Sequence, residues 1–269
     1  MKKKNFISIF IIFILFILVI FLSLISNTSN NTIETSSNIS NNKKIEWGIK
    51  REVDHKQPDL GSSNKKVLED NNGIAIGNSE KKYIYLTFDE GYEAGYTSKI
   101  LETLQNNDVK ATFFITAHYV NTQEELVKQM INEGHIVGNH TVNHKSMPDL
   151  SEEEIKKEVM ELHQGVFEKY NYEMKYIRPP KGEFSQKSII ETNKLGYKTV
   201  MWSFAYEDWN EDKQPDEENA KKKILDNLHN GEIMLLHGNS KTNTNILDSI
   251  IKEAKNMGYE FKSLDEFEK

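Results

Sequence analysis

Short apolar runs alternate with amphipathic stretches through most of the chain. The apolar runs have the length and the aromatic and β-branched content of buried strands, and they cover 83–88, 111–116, 135–138, 175–177, 198–204 and 232–236. Between them apolar residues recur at helical spacing, over 98–104, 123–133, 152–169, 187–195, 217–228 and 245–257. Strands and helices in strict alternation predict an α/β fold built on a parallel sheet.

The number of these units indicates the architecture. Six or seven strand and helix units within about 190 residues are too few for a full eight-fold barrel, so we expect a distorted, incomplete (β/α) barrel. In barrels the active site lies at the carboxyl ends of the strands. The residues that follow each strand are therefore the candidates for function.

The N-terminal region has a different pattern. Three lysines precede a nearly continuous apolar segment over 6–25, which at about 1.5 Å per residue is long enough to cross a bilayer as a helix. We predict a membrane anchor (a transmembrane helix) over 1–25 with a cytoplasmic N-terminus, since the segment ends without the small residues of a cleavage site. A flexible Asn/Ser/Thr-rich tether over 26–44, an N-terminal extension over 45–80 and a catalytic domain over 81–269 are predicted to follow.

Composition narrows the chemistry. The chain of 269 residues is 37% apolar, enough for a large core, and has a formal net charge of −7 with a pI near 5.7. Because no basic cluster is present, we expect no nucleic-acid partner. Cysteine is absent, so disulfides and sulfur ligands are excluded and any metal must be held by His, Asp or Glu.

Residues with catalytic potential follow five of the predicted strands. Charged side chains at the tip of a buried strand cost free energy unless a metal, a cation or a substrate compensates them. Parallel strands end at one rim of the sheet, so these side chains define a single candidate site. They are Asp89 and Glu90 after the first strand, His140 and His144 after the third, Arg178 after the fourth, Asp208 and Trp209 after the fifth, and His237 after the last.

The two histidines of HTVNH indicate a metal site. A spacing of four residues on one helical turn would bring the imidazoles of His140 and His144 to a common point about 6 Å wide. With a carboxylate from a neighbouring strand tip, the pair would form an open, hydrolytic metal site. A pair of ordinary hydrogen-bonded turn histidines is the alternative, because a chain with 8 histidines produces such spacings by chance.

Five segments in order, TFDEG, HTVNH, RPP, DW and LLH, resemble the polysaccharide deacetylases, the NodB-homology fold of carbohydrate esterase family 4. The resemblance covers about 81–269 and implies a metal-dependent N- or O-deacetylase with a distorted barrel. The stretches EWGIKREVDHKQPDLG and YLTFDEGYEAGYT are similar to the muramic acid de-N-acetylases that prepare the δ-lactam of spore cortex peptidoglycan.

The resemblance implies a role for each catalytic residue. Asp89 matches the general base that takes a proton from the attacking water, and Arg178 resembles the cation that keeps Asp89 ionised. His237 matches the general acid that protonates the leaving amine, and Asp208 resembles the acid that orients this histidine. Structural ion pairs and a buried, hydrogen-bonded histidine are the simpler interpretations of the same residues.

The resemblance also implies ligands and pocket walls. His140 and His144 match ligands of a divalent metal ion, which we expect to be zinc. Glu90 takes the place of the third ligand, which is usually Asp in the family and Asn in the muramic acid subgroup; its extra methylene leaves ligation and solvent contact both open. We expect a substrate pocket walled by Trp202, Trp209 and Leu235, with Lys181 as a cation for a lactyl carboxylate.

The implied substrate is N-acetylmuramic acid in a peptidoglycan glycan strand. The freed amine can close a lactam only onto an unblocked lactyl carboxyl, so an upstream amidase is expected as a pathway partner. With the membrane anchor, this predicts a bacterial cell-membrane protein whose catalytic domain is extracytoplasmic, for example in the forespore intermembrane space.

Three alternatives remain open from the sequence. The substrate could be N-acetylglucosamine in peptidoglycan or a chitooligosaccharide. The change at Glu90 permits a metal-free pseudoenzyme that binds glycan. A glycoside hydrolase using Asp89 and Glu90 is disfavoured, because adjacent strand residues point to opposite faces of the sheet.

Overall fold

The computed structural model describes residues 42–269, and residues 44–269 form one compact unit. The predicted anchor and most of the predicted tether lie outside the described residues. Lys44, the last residue of the predicted tether, belongs to the compact unit. None of the helices between residues 42 and 269 has the length and apolarity needed to cross a membrane.

A curled, parallel sheet forms the centre of the molecule. Its strands are β2 (Tyr83–Glu90), β3 (Thr112–Ile115), β4 (Ile136–Asn139), β5 (Tyr176–Ile177), β7 (Lys198–Thr199), β8 (Glu232–His237) and β9 (Glu260–Phe261), while β1 (Ile45–Glu46) and β6 (Glu183–Phe184) pair separately. The order across the sheet is β7-β5-β4-β3-β2-β8, and β9 pairs with the first residues of β2. Every pairing in this sheet is parallel, so the predicted parallel sheet is confirmed.

The two edges of the curled sheet approach each other through the segment after β7. Phe204 forms an isolated parallel bridge with Met234 of β8, and the amide of Leu235 donates to the Phe204 carbonyl at 2.9 Å. The strand predicted over 198–204 is therefore regular only at Lys198–Thr199. Curling of this kind gives the distorted, incomplete barrel that the alternation of strands and helices predicts.

Helices cover the outer face of the sheet. They are α1 (Ser62–Asp70), α2 (Thr97–Asn106), α3 (Ala117–Thr122), α4 (Glu124–Asn132), α5 (Glu152–Tyr170), α6 (Gln186–Lys194), α7 (Glu217–Asp226) and α8 (Lys241–Asn256). All six predicted helices are present. The prediction missed α1, which buries only Leu68, and α3, which spans only six residues, because neither presents a long apolar face.

The apolar core lies on both faces of the strands. Between the sheet and the helices, the rings of Phe88 and Phe113 stack at 5.2 Å between centroids. Inside the curl of the sheet, Tyr85, Phe114 and Ile233 are fully buried. Burial on both faces explains why the strands appear in the sequence as short continuous apolar runs rather than as alternating ones.

The N-terminal extension packs against the loop that follows β5. Strand β1 pairs with β6 in antiparallel register, and the backbone amide of Trp47 donates to the carbonyl of Gly182 at 2.9 Å. The indole Nε1 of Trp47 donates to the carbonyl of Trp202, also at 2.9 Å. The extension thus fixes a loop that contributes to the rim where the predicted site residues lie.

Two glycines allow a test of the tight turn before β8. Gly231 has φ +68°, and a Cβ there would lie 2.4 Å from the Gly77 carbonyl carbon, whereas a Cβ on Gly165 in α5 would meet nothing within 4 Å. We expect Gly231→Ala to lower the free energy of unfolding by at least about 1–2 kcal/mol, the cost of a left-handed alanine. Gly165→Ala should raise it by roughly 0.5–1 kcal/mol. Urea unfolding measures both, and equal midpoints for the two variants would contradict this account.

Candidate active site

A cavity of about 910 Å³ opens at the carboxyl ends of the strands. The predicted site residues that line it are Asp89, His140, His144, Lys181, Trp202, Trp209, Leu235 and His237. Arg178 and Asp208 lie directly behind this layer and are almost completely buried. Glu90 does not line the cavity, so the structure brings together all of the predicted site residues except one.

Asp89, at the end of β2, forms a buried ion pair with Arg178. Arg178 Nη1 donates to Asp89 Oδ1 at 2.8 Å, and the guanidinium also donates to the Val200 carbonyl and lies 4.3 Å above the Phe114 ring. Burial by itself raises the pKa of Asp89, but the opposing charges, chiefly that of Arg178, outweigh it and lower the pKa below its ordinary value. Asp89 is therefore held as a carboxylate at the cavity wall.

The imidazoles of His140 and His144 converge. Their Nε2 atoms lie 3.1 Å apart, and Asp89 Oδ2 lies 3.5 Å from His140 Nε2. His140 Nδ1 is 2.8 Å from the Arg178 carbonyl, an acceptor only, so the proton sits on Nδ1 and Nε2 keeps a free lone pair. Burial lowers the pKa of both histidines, that of His144 to about 4, which favours the neutral form that binds metals.

The histidine pair fits two ligands of a metal ion. Two nitrogens each about 2.1 Å from one ion lie roughly 3–3.5 Å apart, which matches the observed separation. A cation there would also accept the lone pair that the Nδ1–H tautomer leaves on His140 Nε2. Across residues 42–269, no group of three or more His, Asp or Glu side chains has the arrangement of a metal site. The candidate ligands are the two converging histidines.

The loop that carries the histidines is not the helical turn that the spacing suggested. Thr141 and His144 have φ of +67° and +54°, so the chain turns through two left-handed residues between β4 and the following 3-10 turn at Met147–Asp149. The Thr141 hydroxyl accepts from the His144 amide at 3.1 Å. The imidazoles therefore converge, as their spacing predicted, but through a tight loop rather than on one helical turn.

A buried glutamate on α5 holds this loop, and the sequence analysis missed it. Glu158 accepts from the amide of Asn143 at 2.7 Å and from its side-chain amide at 2.8 Å, and it pairs with Lys145 at 3.2 Å. Its polar position on the helix faces the sheet among apolar neighbours, where a carboxylate needs partners. A glutamate within the apolar face of a helix was the signal in the sequence that this side chain has buried polar partners.

Glu90 points away from the histidine pair. Its Oε1 accepts from the Thr97 hydroxyl at 3.3 Å, Oε2 has no hydrogen-bond partner, and the carboxyl packs directly against Gly238, where a Cβ would lie 1.9 Å from Oε1. Burial, followed by the charge of Glu93, raises the pKa of Glu90 well above its ordinary value. Adjacent strand residues face opposite sides, so Asp89 takes the cavity side and Glu90 the helix side. The same divergence excludes the two as an acid pair acting on one glycosidic bond.

His237 forms the opposite wall of the site with Asp208. His237 Nδ1 donates to Asp208 Oδ1 at 2.7 Å, and the His237 amide donates to Asp208 Oδ2 at 3.0 Å. Burial lowers the pKa of His237, but the Asp208 carboxylate outweighs it and the net effect raises the pKa. In the sheet His237 is the register partner of Asp89, which puts these two ionisable residues side by side.

Two asparagines complete the surroundings of His237, and the sequence analysis missed both. The side-chain amide of Asn243 donates to Asp208 Oδ2 at 2.5 Å. The amide of Asn239 donates to the Tyr92 hydroxyl at 2.8 Å and to the Trp209 carbonyl at 3.0 Å. Both follow LLH closely, which is the only hint that the sequence offers.

The remaining predicted residues form the walls of the cavity. Trp209 is half exposed and its ring lies 5.5 Å from that of His237, while Leu235 is buried beside the same histidine. Trp202 packs closely on Gly182, where a Cβ would lie 2.6 Å from the indole ring. These apolar surfaces and an exposed Lys181 form a ligand-sized pocket with a cation among its lining residues.

Known proteins share both the sequence and the fold of this chain. Residues 76–200 match the family model described as polysaccharide deacetylase. The chain is 41% identical over 231 residues to the peptidoglycan-N-acetylmuramic acid deacetylase PdaA of Bacillus subtilis, covering 85% of this chain and 88% of the relative. It is 34% identical to a peptidoglycan-N-acetylglucosamine deacetylase of Bacillus cereus, covering 70% of this chain and 89% of that protein.

The solved structure of Bacillus subtilis PdaA, described as a family 4 carbohydrate esterase, superposes with a TM-score of 0.82 at 40% identity, covering 84% of this chain and 97% of that one. The chain therefore belongs to the polysaccharide deacetylases of carbohydrate esterase family 4.

Proposed function

We propose that this protein is a metal-dependent de-N-acetylase of cell-wall glycan that acts on N-acetylmuramic acid in peptidoglycan stripped of its peptides. The observation that carries the proposal is that one cavity holds a carboxyl whose pKa is lowered, Asp89, and an imidazole whose pKa is raised, His237. Arg178 holds Asp89 as a carboxylate, and Asp208 favours the protonated form of His237, on either side of a converging histidine pair. A base, an acid and a metal position together are what amide hydrolysis requires.

The residues divide the reaction between them. Asp89 accepts a proton from the water that attacks the acetamide carbonyl. His237 Nε2 donates a proton to the amine as the C–N bond breaks, and Asp208 stabilises the imidazolium until then. Trp202, Trp209 and Leu235 surround the acetyl group and exclude water. A divalent metal, which we expect to be zinc, would be held by His140 and His144 and would supply Lewis-acid activation of the carbonyl and the water.

The similarity to the muramic acid deacetylase of Bacillus subtilis supports the choice of sugar. N-acetylmuramic acid differs from N-acetylglucosamine by a lactyl ether, whose carboxylate is free once the peptide has been removed. Lys181 lines the cavity and offers this carboxylate a cation. The product amine could then close a lactam on the lactyl carboxyl, so an amidase would act first. We propose an extracytoplasmic, membrane-anchored enzyme, on the strength of the apolar N-terminal segment.

N-acetylglucosamine in peptidoglycan is the second candidate substrate, because the Bacillus cereus relative is described as acting on it. The two candidates share the mechanism and differ only at the lactyl group. A metal-free glycan-binding protein is the third outcome that an experiment must separate.

The first experiment measures acetate release by the purified chain from three glycans, with and without added zinc. We expect metal-dependent release from peptidoglycan whose muramic residues carry no peptide, and little from intact peptidoglycan or chitooligosaccharides. Release from the glucosamine substrates alone would reject the choice of muramic acid. No release under any metal would reject the enzyme and leave glycan binding.

The acid and base predict the pH dependence of the reaction. The lowered pKa of Asp89 puts the acidic limb of kcat/KM below the ordinary range of a carboxyl, and the raised pKa of His237 puts the basic limb above that of an ordinary histidine. Asp208→Asn removes the charge that raises the pKa of His237 while burial remains, so the basic limb should move to lower pH.

We expect kcat/KM of Asp208→Asn to fall on the order of 100-fold or more, since the acid loses its partner. Asp226→Asn, at an exposed carboxylate paired with Lys222, is the matched control and should leave the profile unchanged. A basic limb that stays in place in Asp208→Asn would argue against His237 as the acid.

Metal titration separates the histidines from Glu90. Because Glu90 faces Thr97 and Gly238, Glu90→Gln should bind zinc as the unmodified protein does, whereas His144→Ala should weaken binding by at least about 100-fold. Calorimetry on chelator-treated protein measures both affinities. Equal losses in the two variants would make Glu90 a ligand.

A further inference from the structure

Lys181 lines the cavity without an ion pair. Among residues 42–269 it makes no hydrogen bond or salt bridge of its own, yet its charge acts on two nearby carboxylates, those of Asp149 and Glu183. A flexible lysine can form an ion pair with a nearby carboxylate that has no other cation. Something must therefore occupy these carboxylates if Lys181 is to serve a substrate.

Lys44 occupies both of them. Its Nζ lies 2.9 Å from Asp149 Oδ2 and 3.3 Å from Glu183 Oε2, so one ammonium bridges the two acids. The hydrogen bond to Asp149 raises the pKa of Lys44, which keeps it charged. The bridge joins the end of the histidine loop to the segment directly after Lys181.

The pairing of β1 with β6 places Lys44 beside the two acids. Lys44 directly precedes β1, and β1 pairs with β6 through Ile45 with Phe184 and Glu46 with Glu183. The next residue, Trp47, donates its amide to Gly182, the neighbour of Lys181. A paired strand is a fixed platform, so Lys44 reaches the two acids from a defined origin.

Lys181 is itself held in an uncommon conformation. Its φ is +61° and that of Gly182 is +68°, so two consecutive left-handed residues turn the loop towards the cavity. For a lysine this costs roughly 1 kcal/mol or more, and such strain collects at functional sites. The next position accepts only glycine, because a Cβ on Gly182 would lie 2.6 Å from the Trp202 indole.

We propose that Lys44 is a positioning residue that determines selectivity for an anionic sugar substituent: by neutralising Asp149 and Glu183, it leaves Lys181 free to bind the carboxylate of the substrate. The inference rests on the proposed function, because it assumes a glycan with a lactyl carboxylate. It differs from that function in assigning the selectivity to a residue outside the cavity, in the N-terminal extension.

The test compares two forms of one substrate. Peptide-stripped peptidoglycan glycan is used as such and after reduction of its lactyl carboxyls to alcohols. The unmodified protein should have a lower KM for the carboxylate form. In Lys44→Gln the carboxylates capture Lys181, so this preference should shrink about tenfold, through KM with kcat unaffected; tenfold corresponds to about 1.4 kcal/mol. Lys44→Arg should retain the preference.

Two further variants keep the test independent of folding. Lys66→Gln breaks an exposed pair with Asp70 on α1 and should leave the preference intact. Adding Asp149→Asn and Glu183→Gln to Lys44→Gln removes the competing carboxylates. This triple variant should regain the preference for the carboxylate form of the glycan. A purely structural role for Lys44 would not be rescued in this way.

The outcomes distinguish the inference from the function on which it rests. Absence of acetate release from either glycan overturns the proposed function. Release with equal KM for the two forms overturns recognition of the carboxylate and the inference together. A preference that survives Lys44→Gln, or that the triple variant does not restore, overturns the inference alone.

Discussion

The buried ion pair between Asp89 and Arg178 is the interaction on which the rest of the site depends. It joins the ends of β2 and β5, which are separated by two strands, and the guanidinium also bonds to carbonyls of Val200 and Met201 after β7. Removing one partner of such a pair typically costs about 3–5 kcal/mol, because the other charge stays buried and unpaired. One arginine thus ties together three strand ends.

Arg178 also acts on His140, through its backbone carbonyl rather than its charge. Its carbonyl accepts from His140 Nδ1 and so determines which nitrogen faces the cavity. Its guanidinium lowers the pKa of Asp89 and so keeps that carboxyl ionised. A single residue therefore couples the ionisation of Asp89 to the tautomer of a proposed metal ligand. His237 and Asp208 form a second pair of this kind. Asp208 accepts from His237 Nδ1, and the side-chain amide of Asn243 donates to Asp208.

The positions of the two histidines and of Lys181 depend on loop conformation rather than on helices or strands. The histidines converge because the loop after β4 contains two left-handed residues and is anchored by Glu158. Lys181 faces the cavity because its own loop is left-handed and is braced by the extension. Loops with such conformations are stable only when their surroundings hold them, and here the support comes from α5 and from β1.

The sequence by itself determined the alternation of strands and helices, and with it the rim at which functional residues collect. Parallel strands end at one edge, so the residues after each strand could be grouped before any contact was known. Asp89, His140, Arg178, Asp208 and His237 were grouped in this way, and the structure places them at the cavity or directly behind it. The motif order was enough to indicate the family.

Only the tertiary structure decided on which face of the sheet each side chain lies and which distant residues it contacts. Glu90 turns to Thr97 rather than to the histidines, since the strand alternates its faces and the carboxyl fits against Gly238. Lys44 meets Asp149 and Glu183 across separations of 105 and 139 residues. Periodicity describes neighbours within a few residues, whereas such contacts arise from how distant segments pack, and local patterns do not encode that.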